Sequence, residues 1–520
     1  MLKTTSPGSR PSATAPPVRP SQANWGDLIE WRANEQGDVT LYDQVAELLR
    51  REILAGSLPL GSRLPSTRQL MAKLGVSRTT VITAYAQLTA DGYVTCKVGS
   101  GTYVTLDAID RIEKAAAALT HVGTRPVVKS AGLSKRGERY ADMDLEQLVL
   151  ENVPFNTGVV RIDGRASAQW HQIARHQLAV EPMHQGYDSP QGGIAIREEI
   201  CRYLSVSRKV RCTPDQIIMV AGAQQAIDLT IKTLLDPGAS VWLEEPGYPL
   251  ARLALANAGM NLHSVPVDRD GIRVSDGIEA CPDARAAFVT PSHQYPLGVA
   301  LSIARRLELL QWAADRGAWI VEDDYDSEFR YDGPSLPALQ GLDTNDRVIY
   351  IGTFSKVLLP TVRYGYMVVP PALVKAFSAA RFLTDRHSPI FFEKVLTEFI
   401  NRGYFVSHIR RMRVEYCDAR DVLVAMLNDR LGHRLDVVKP GQGLHLIAYL
   451  REKLVDTEIA EAARLAGVIV KPLSRLYSTS NGNRSGLMFG FAGFEPSRMK
   501  TAVDRLSLVF DGFSKDSQAN

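Results

Sequence analysis

Lys356 ends the pentapeptide Gly352-Thr-Phe-Ser-Lys356 directly after a strand-like run, and Arg363 follows seven residues later. A lysine at a strand end offers a primary amine for imine chemistry, although in a Ser-rich turn it is ordinarily a surface residue. Four residues at another strand end, Glu322-Asp-Asp-Tyr325, gather three carboxylates. Such a cluster serves a solvated loop, a metal or a charged ligand. No His or Cys stands at ligand spacing beside it, so no metal is expected. Ala221-Gly-Ala-Gln-Gln225 joins a strand to a helix, and the free N–H groups of a helix start suit an anion such as phosphate. A different chemistry lies near the N-terminus. Between residues 60 and 104, Arg63, Arg68, Lys73, Arg78 and Lys97 face a single acid, Asp91. That excess can neutralise phosphates and release counterions from nucleic acid, or merely dock a small domain.

The elements that must position these residues fall into two groups. Leu41, Val45, Leu48, Leu49 and Ile53 recur at helical spacing before Gly56. Second and third helices are predicted over Ser66–Leu74 and from the N-cap Ser77 to Gly92. Tyr93–Lys97 and Thr102–Thr105 flank Gly99-Ser-Gly101 as a hairpin. Three helices and a hairpin make a winged helix-turn-helix. From about Val153, short strands (Ile217–Val220, Ser240–Leu243, Ala286–Thr290, Trp319–Val321, Val348–Ile351) alternate with helices near Gln224–Leu235, Leu250–Ala258 and Ala304–Arg316. That alternation predicts an α/β fold around a largely parallel sheet. The expected division is a disordered Pro/Ser-rich arm over 1–22, a winged helix over 38–106, a linker over 107–150 and an α/β domain over 151–512.

Composition narrows the classes. With 45% hydrophobic and 22% charged residues among 520, wholesale disorder and fibrous repeats are excluded. Five cysteines without a C-x-x-C pair exclude a disulfide scaffold and a zinc ribbon. A net charge of +3 is too mild to point to nucleic acid by itself. No apolar run is long enough for a membrane span, and no signal peptide is evident, so a cytoplasmic protein without membrane partners is expected.

Two family resemblances sharpen this reading. Leu64-Pro-Ser-Thr-Arg68, Leu74-Gly-Val-Ser-Arg-Thr-Thr80, Ala84-Tyr85, Leu88 and Gly99-Ser-Gly-Thr-Tyr-Val104 together resemble the GntR-type winged helix. The resemblance implies a double-stranded DNA operator. Arg68 and Arg78 would contact phosphate or bases, Thr79 and Thr80 the major groove, and Gly101 the wing approach. Ile82 stands where some members carry a basic contact.

Residues 186–365 resemble fold-type I, pyridoxal 5'-phosphate-dependent aminotransferases. This resemblance makes Lys356 the Schiff-base, catalytic lysine, with Thr353, Ser355 and Arg363 on the cofactor phosphate. Asp323 would partner the pyridine nitrogen, with Asp324 as the competing assignment, and Tyr325 would reach the ring hydroxylate. Ala223 and Gln224 would add backbone N–H groups at the phosphate, and Tyr248 of Glu245-Pro-Gly-Tyr248 would stack on the ring. In Thr290-Pro-Ser-His-Gln294, His293 or Gln294 would stand near the ring hydroxyl. Tyr187 would serve the neighbouring subunit's phosphate, which implies a homodimer.

Joined in one chain, the two resemble the MocR-type regulators, as does His408-Ile-Arg-Arg-Met-Arg413 with Tyr416 and Arg420. The function implied is a regulator sensing a small amino compound, or the vitamer itself, through a bound cofactor. The alternatives are a working aminotransferase with a DNA-binding appendage and a regulator with a cofactor-free body. Aligning Leu487–Ala492 with the strand that carries the aminotransferases' carboxylate-binding arginine puts Met488 at that position. Arg475 and Arg484 lie nearby but out of register. At most residual aminotransferase activity is therefore expected.

Overall fold

The computed structural model describes residues 39–97, 99–105, 132–143, 152–180, 186–334, 336–358, 360–451, 454–478 and 484–516. The chain divides into two compact units, Met1–Gly132 and Leu133–Asn520. The arm expected over 1–22 lies outside the described residues, as does most of the expected linker. Part of that linker span is a helix, Lys135–Ala141, whose N-cap Ser134 accepts from Gly137 N at 3.1 Å. Arg139 Nη2 donates to Asn257 O at 3.0 Å, tying the helix to the larger unit. The helix buries no side chain, so no apolar period marks it in the sequence.

In the smaller unit α1 (Leu41–Leu54), α2 (Thr67–Leu74) and α3 (Arg78–Ala90) precede the antiparallel hairpin β1 (Val94–Lys97) and β2 (Gly101–Val104). Their starts follow local chemistry. Ser66 and Gln69 form a reciprocal capping box on α2, and Ser77 Oγ accepts from Thr80 N on α3. Gly75, at φ +66°, ends α2 in a left-handed conformation that an L side chain rarely adopts. Val45, Leu49, Leu70, Val81, Ala84, Leu88 and Val104 close one core, each large apolar side chain contributing about 1.5–3 kcal/mol by burial. The residues before α2 extend the hairpin: Val104 N donates to Ser62 O, and Leu64 N to Thr102 O.

The larger unit is built on an eight-stranded sheet. Its strands are β3 (Ile217–Val220), β4 (Ser240–Glu245), β5 (Asn261–Asp268), β6 (Gly271–Ile272), β7 (Ala286–Val289), β8 (Trp319–Asp324), β9 (Val348–Thr353) and β10 (Gly365–Val368), in the order β3-β10-β9-β8-β7-β4-β5-β6. The five from β9 to β5 are parallel; β10 runs against both β9 and β3. Alternation along β4 sends Val241 and Leu243 to one core and Trp242 to the other, where it stacks on Trp312 at 3.9 Å. With both faces buried, the carboxyl ends of the parallel strands are left to build a site.

A second, antiparallel sheet follows: β11 (Leu435–Val438), β12 (His445–Leu450), β13 (Lys471–Pro472) and β14 (Gly486–Gly490), in the order β11-β12-β14-β13. Of these, the sequence pattern marks only β14. No helix among the described residues is long and apolar enough to cross a membrane.

Candidate functional site

The ends of β4, β8 and β9, with the turn after β3, gather the residues singled out above. Strand alternation along β8 separates its acids into two sets. Glu322 accepts from Leu339 N and Gln340 N, both at 2.8 Å. On the same face, Asp324 Oδ2 accepts from Arg208 Nε at 2.7 Å and Tyr350 Oη at 2.6 Å, a buried ion pair. Asp323 points the other way. It is buried, and its Oδ1 has no hydrogen-bond partner among the described residues. Burial first, then the charges of Asp324, Asp326 and Glu244, push the Asp323 carboxyl up to about 7. Asp324 Oδ1 is unpartnered too, but its Oδ2 is committed to Arg208 and Tyr350, whereas no hydrogen bond or ion pair among the described residues holds Asp323.

Lys356 Nζ donates to Gly158 O at 3.2 Å. Burial lowers its pKa; Asp326 opposes that, and Arg363 adds to it. Thr353 Oγ1 accepts from Ser355 N at 3.1 Å, and the buried Ser355 Oγ is unpartnered. Across the strand, Gly222 caps the helix Ala223–Leu234 at φ +89° without a side-chain cap, so the first N–H groups, at Ala223 and Gln224, are available. Arg363 Nη2 donates to Ala221 O at 2.8 Å, and a Cβ on Gly222 would stand 3.1 Å from it. The glycine lets the guanidinium lie against the turn.

Tyr248 begins the helix Pro249–Asn257, and its ring meets Tyr295 edge-on at 5.7 Å. Burial and then Asp323 raise the Tyr248 hydroxyl above the usual tyrosine range. His293 is buried, with Nδ1 2.9 Å from Asp326 Oδ2 and 3.0 Å from Tyr325 Oη, and with Nε2 unpartnered. Gln294 spends its amide on Pro246 O at 2.9 Å and Tyr295 O at 2.7 Å, so it holds the loop. Tyr187 lies elsewhere on the surface, 75% exposed, beneath Arg386 at 4.2 Å. Among the described residues no group of three or more His, Cys, Asp or Glu could hold a metal ion.

Sequence reasoning missed several neighbours. Asp326 extends the acid cluster by one residue and was legible there. Tyr295, His445 and Lys471 come from segments that only the fold brings in. His445 rings lie 5.3 Å from His293 and 5.7 Å from Tyr295, and burial followed by His293 lowers its pKa to about 3. The His408 motif turns out to be a clasp: His408 Nδ1 and Arg411 Nη2 reach Asp163 Oδ2 at 2.6 and 2.9 Å.

In the smaller unit Arg68, Arg78 and Thr79 are exposed, and Asp91 is paired with Arg50 Nη2 at 2.7 Å, leaving the local positive charge unopposed. Thr80 is turned toward the cap, its hydroxyl 2.8 Å from Ser77 Oγ, so it is the least available of the expected DNA contacts. Gly101 has φ +121°, and a Cβ there would meet Arg63 Nε at 2.6 Å. Its smallness admits Arg63, a residue without an assigned role above, to the base of the wing.

Residues 41–104 match the model for bacterial regulatory proteins of the gntR family, and residues 153–506 that for aminotransferase class I and II. The chain is 39% identical to a probable rhizopine catabolism regulatory protein, MocR, of Rhizobium meliloti, over 92% of this chain and 95% of that one. It is 32% identical to the pyridoxine biosynthesis regulator PdxR of Corynebacterium glutamicum, over 91% and 97% respectively. The crystal structure of an archaeal alanine:glyoxylate aminotransferase superposes with a TM-score of 0.66 at 26% identity, covering 73% of this chain and 98% of that one. A DNA-binding head and an aminotransferase-like body, matched in one piece along whole relatives, place the chain in the MocR-type family of helix-turn-helix transcriptional regulators.

Proposed function

We propose that the larger unit binds pyridoxal 5'-phosphate, reads a small amino compound or the vitamer through it, and works as a homodimer whose ligand state alters operator binding. The observation that carries this reading is Asp323: a buried carboxylate with an unpartnered oxygen and no ion pair among the described residues, on a strand where Glu322 and Asp324 Oδ2 are tied to fold partners. An uncompensated buried carboxylate is costly, and a protonated ring nitrogen would relieve it. Ser355 Oγ, the open helix start at Ala223 and Gln224, and Arg363 suit a phosphate in the same way.

When bound, the cofactor supplies an aldehyde and an electron-withdrawing ring. The chain does the rest. Burial of Lys356 favours its neutral amine, the nucleophilic form. Asp323 would hold a proton on the ring nitrogen, Tyr248 would pack on the ring, and His293 with Tyr325 would line the edge bearing the hydroxyl. Tyr187, exposed beside Arg386, is accessible to a second subunit's phosphate. Buried Met488 at the arginine's position argues against efficient turnover, because a thioether cannot bind a carboxylate.

Spectroscopy and product release test this reading together. Protein loaded with pyridoxal 5'-phosphate should be yellow and remain so through dialysis. Incubation with amino acids should release keto acid far below enzyme-like rates. Colourless protein would refute the cofactor reading, and steady keto-acid release would favour the aminotransferase.

A further inference from the structure

Met488 leaves the anion-binding task of the site open, and the second sheet supplies a different cation. In β14, Met488 pairs directly with Lys471 of β13 on one side and with Ile447 of β12 on the other. Residues directly opposite on antiparallel strands project from the same face, with Cβ atoms about 4.5–5.5 Å apart. A side chain leaving position 471 therefore occupies the same face as one leaving position 488. We propose that Lys471 is the anion-binding residue of the ligand site, and that the ligand is a small amino acid whose carboxylate it holds.

Three observations support this assignment, which rests on the cofactor-dependent sensing proposed above. The Lys471 ammonium has no ion-pair or hydrogen-bond partner among the described residues, although the residue is half-buried. Its surroundings are apolar and aromatic: Met488, Ile447 and Leu473 form a buried cluster against which Tyr295, Tyr449 and Tyr477 pack. Tyr295 links this cluster to Tyr248 and Tyr325 of the cofactor site, at ring distances of 5.7 and 6.3 Å. Burial, and then the charge of Lys356, lower the Lys471 pKa to about 8, so the ammonium stays largely protonated at neutral pH. The two lysines thus sense one another. A ligand with an amine at the Lys356 end and a carboxylate at the other would meet both.

The other cations considered are engaged or turned away. Arg484 stacks on Tyr449 at 3.6 Å and lies 4.0 Å from Asp436. Arg475 is exposed, and its charge is felt by Glu461 on the helix Asp456–Leu465. A single ammonium differs from the arginine fork in a useful way. It binds a carboxylate as a point charge and does not fix its plane, which suits recognition better than the tight alignment of turnover.

The test uses full-length protein loaded with pyridoxal 5'-phosphate, its visible spectrum titrated with L-alanine, β-alanine and 4-aminobutyrate. Ethylamine and propylamine, the same chains without the carboxylate, serve as controls. At least one acid should act at about 10- to 100-fold lower concentration than its control amine, the range expected for a charge-assisted contact. Lys471→Met should lose that preference while keeping its colour and its amine response, and Lys471→Arg should retain the preference. An acid preference that survives in Lys471→Met, or a wild type that answers acids and amines alike or answers neither, would overturn the proposal. Failure of the wild type to take up the cofactor would instead overturn the reading on which it rests.

Discussion

The two ends of the candidate site differ in kind. At the end formed by β8, β9 and the turn after β3, the groups expected to hold a cofactor are present: Lys356, unpartnered Asp323, Ser355, Arg363 and an open helix start. The end formed by the second sheet holds an apolar cluster around Met488 and one unpaired ammonium, Lys471, which in the proposal above take the place of an aminotransferase's arginine. One end is equipped to hold a group tightly, while the other is poorly equipped to align a substrate for repeated reaction. Binding and orientation contribute separately to catalysis, so a site can keep the first and lack the second. That difference suits a sensor.

The largest effect expected from breaking the cofactor end comes from its amine. Lys356→Ala should abolish the yellow colour after dialysis, since the imine would lose the amine that forms it. Retained colour would sink the assignment.

Next in size is a contrast between adjacent acids on β8. Asp324→Asn should destabilise the fold, because Arg208 would lose its buried counter-charge, and breaking such a pair costs about 3–5 kcal/mol. Asp323→Asn should fold normally and instead weaken cofactor binding by about 10- to 100-fold, the loss of one charge-assisted contact. Urea denaturation and cofactor titration of both variants separate the two roles. The opposite pattern would exchange the assignments.

A similar contrast divides the two units of the chain. Arg78→Ala should reduce operator affinity by about 1–3 kcal/mol if the lost contact is to a base. If the contact is to phosphate, the salt slope should fall by about one. Cofactor loading should not change. Unaltered DNA affinity would mean that the exposed arginine does not reach the operator.

The smallest effect is a pH dependence of the cofactor-free protein. Glu244, Glu322, Asp323 and Glu328 are each pushed up to about 7, chiefly by burial. The folded state then binds more protons than the unfolded chain between about pH 4 and 7. Their contribution to stability is complete below the unfolded value and is lost as pH rises through 7. His445, lowered to about 3, acts oppositely, but only below about pH 6.5. The urea midpoint should therefore fall between pH 6 and 8, and Asp323→Asn should flatten that fall. A midpoint that rises over this interval would contradict the burial argument.

How far the sequence disclosed these features depended on where their causes lie. The winged helix was legible because its signals are local: Ser66 with Gln69, Ser77 at its cap, and apolar residues at helical spacing. The parallel strands were legible as short apolar runs between helices. Short motifs at strand ends exposed Lys356 and the acids of β8, but separating Asp323 from Asp324 needed Arg208, 116 residues away from Asp324. Lys471 gave no sign at all. Its strand is two residues long, and its meaning comes from standing opposite Met488.

The central claim is that ligand chemistry at Lys356 governs DNA binding. The direct measurement is an operator-binding titration of wild type and Lys356→Ala, each with and without pyridoxal 5'-phosphate and the amino compounds that change the wild-type spectrum. In the wild type, at least one compound should shift operator affinity by about 5- to 150-fold, the usual span of coupling between sites. Lys356→Ala should bind DNA at the basal level and lose that shift. An equal shift in both proteins, or none in the wild type, would contradict the account.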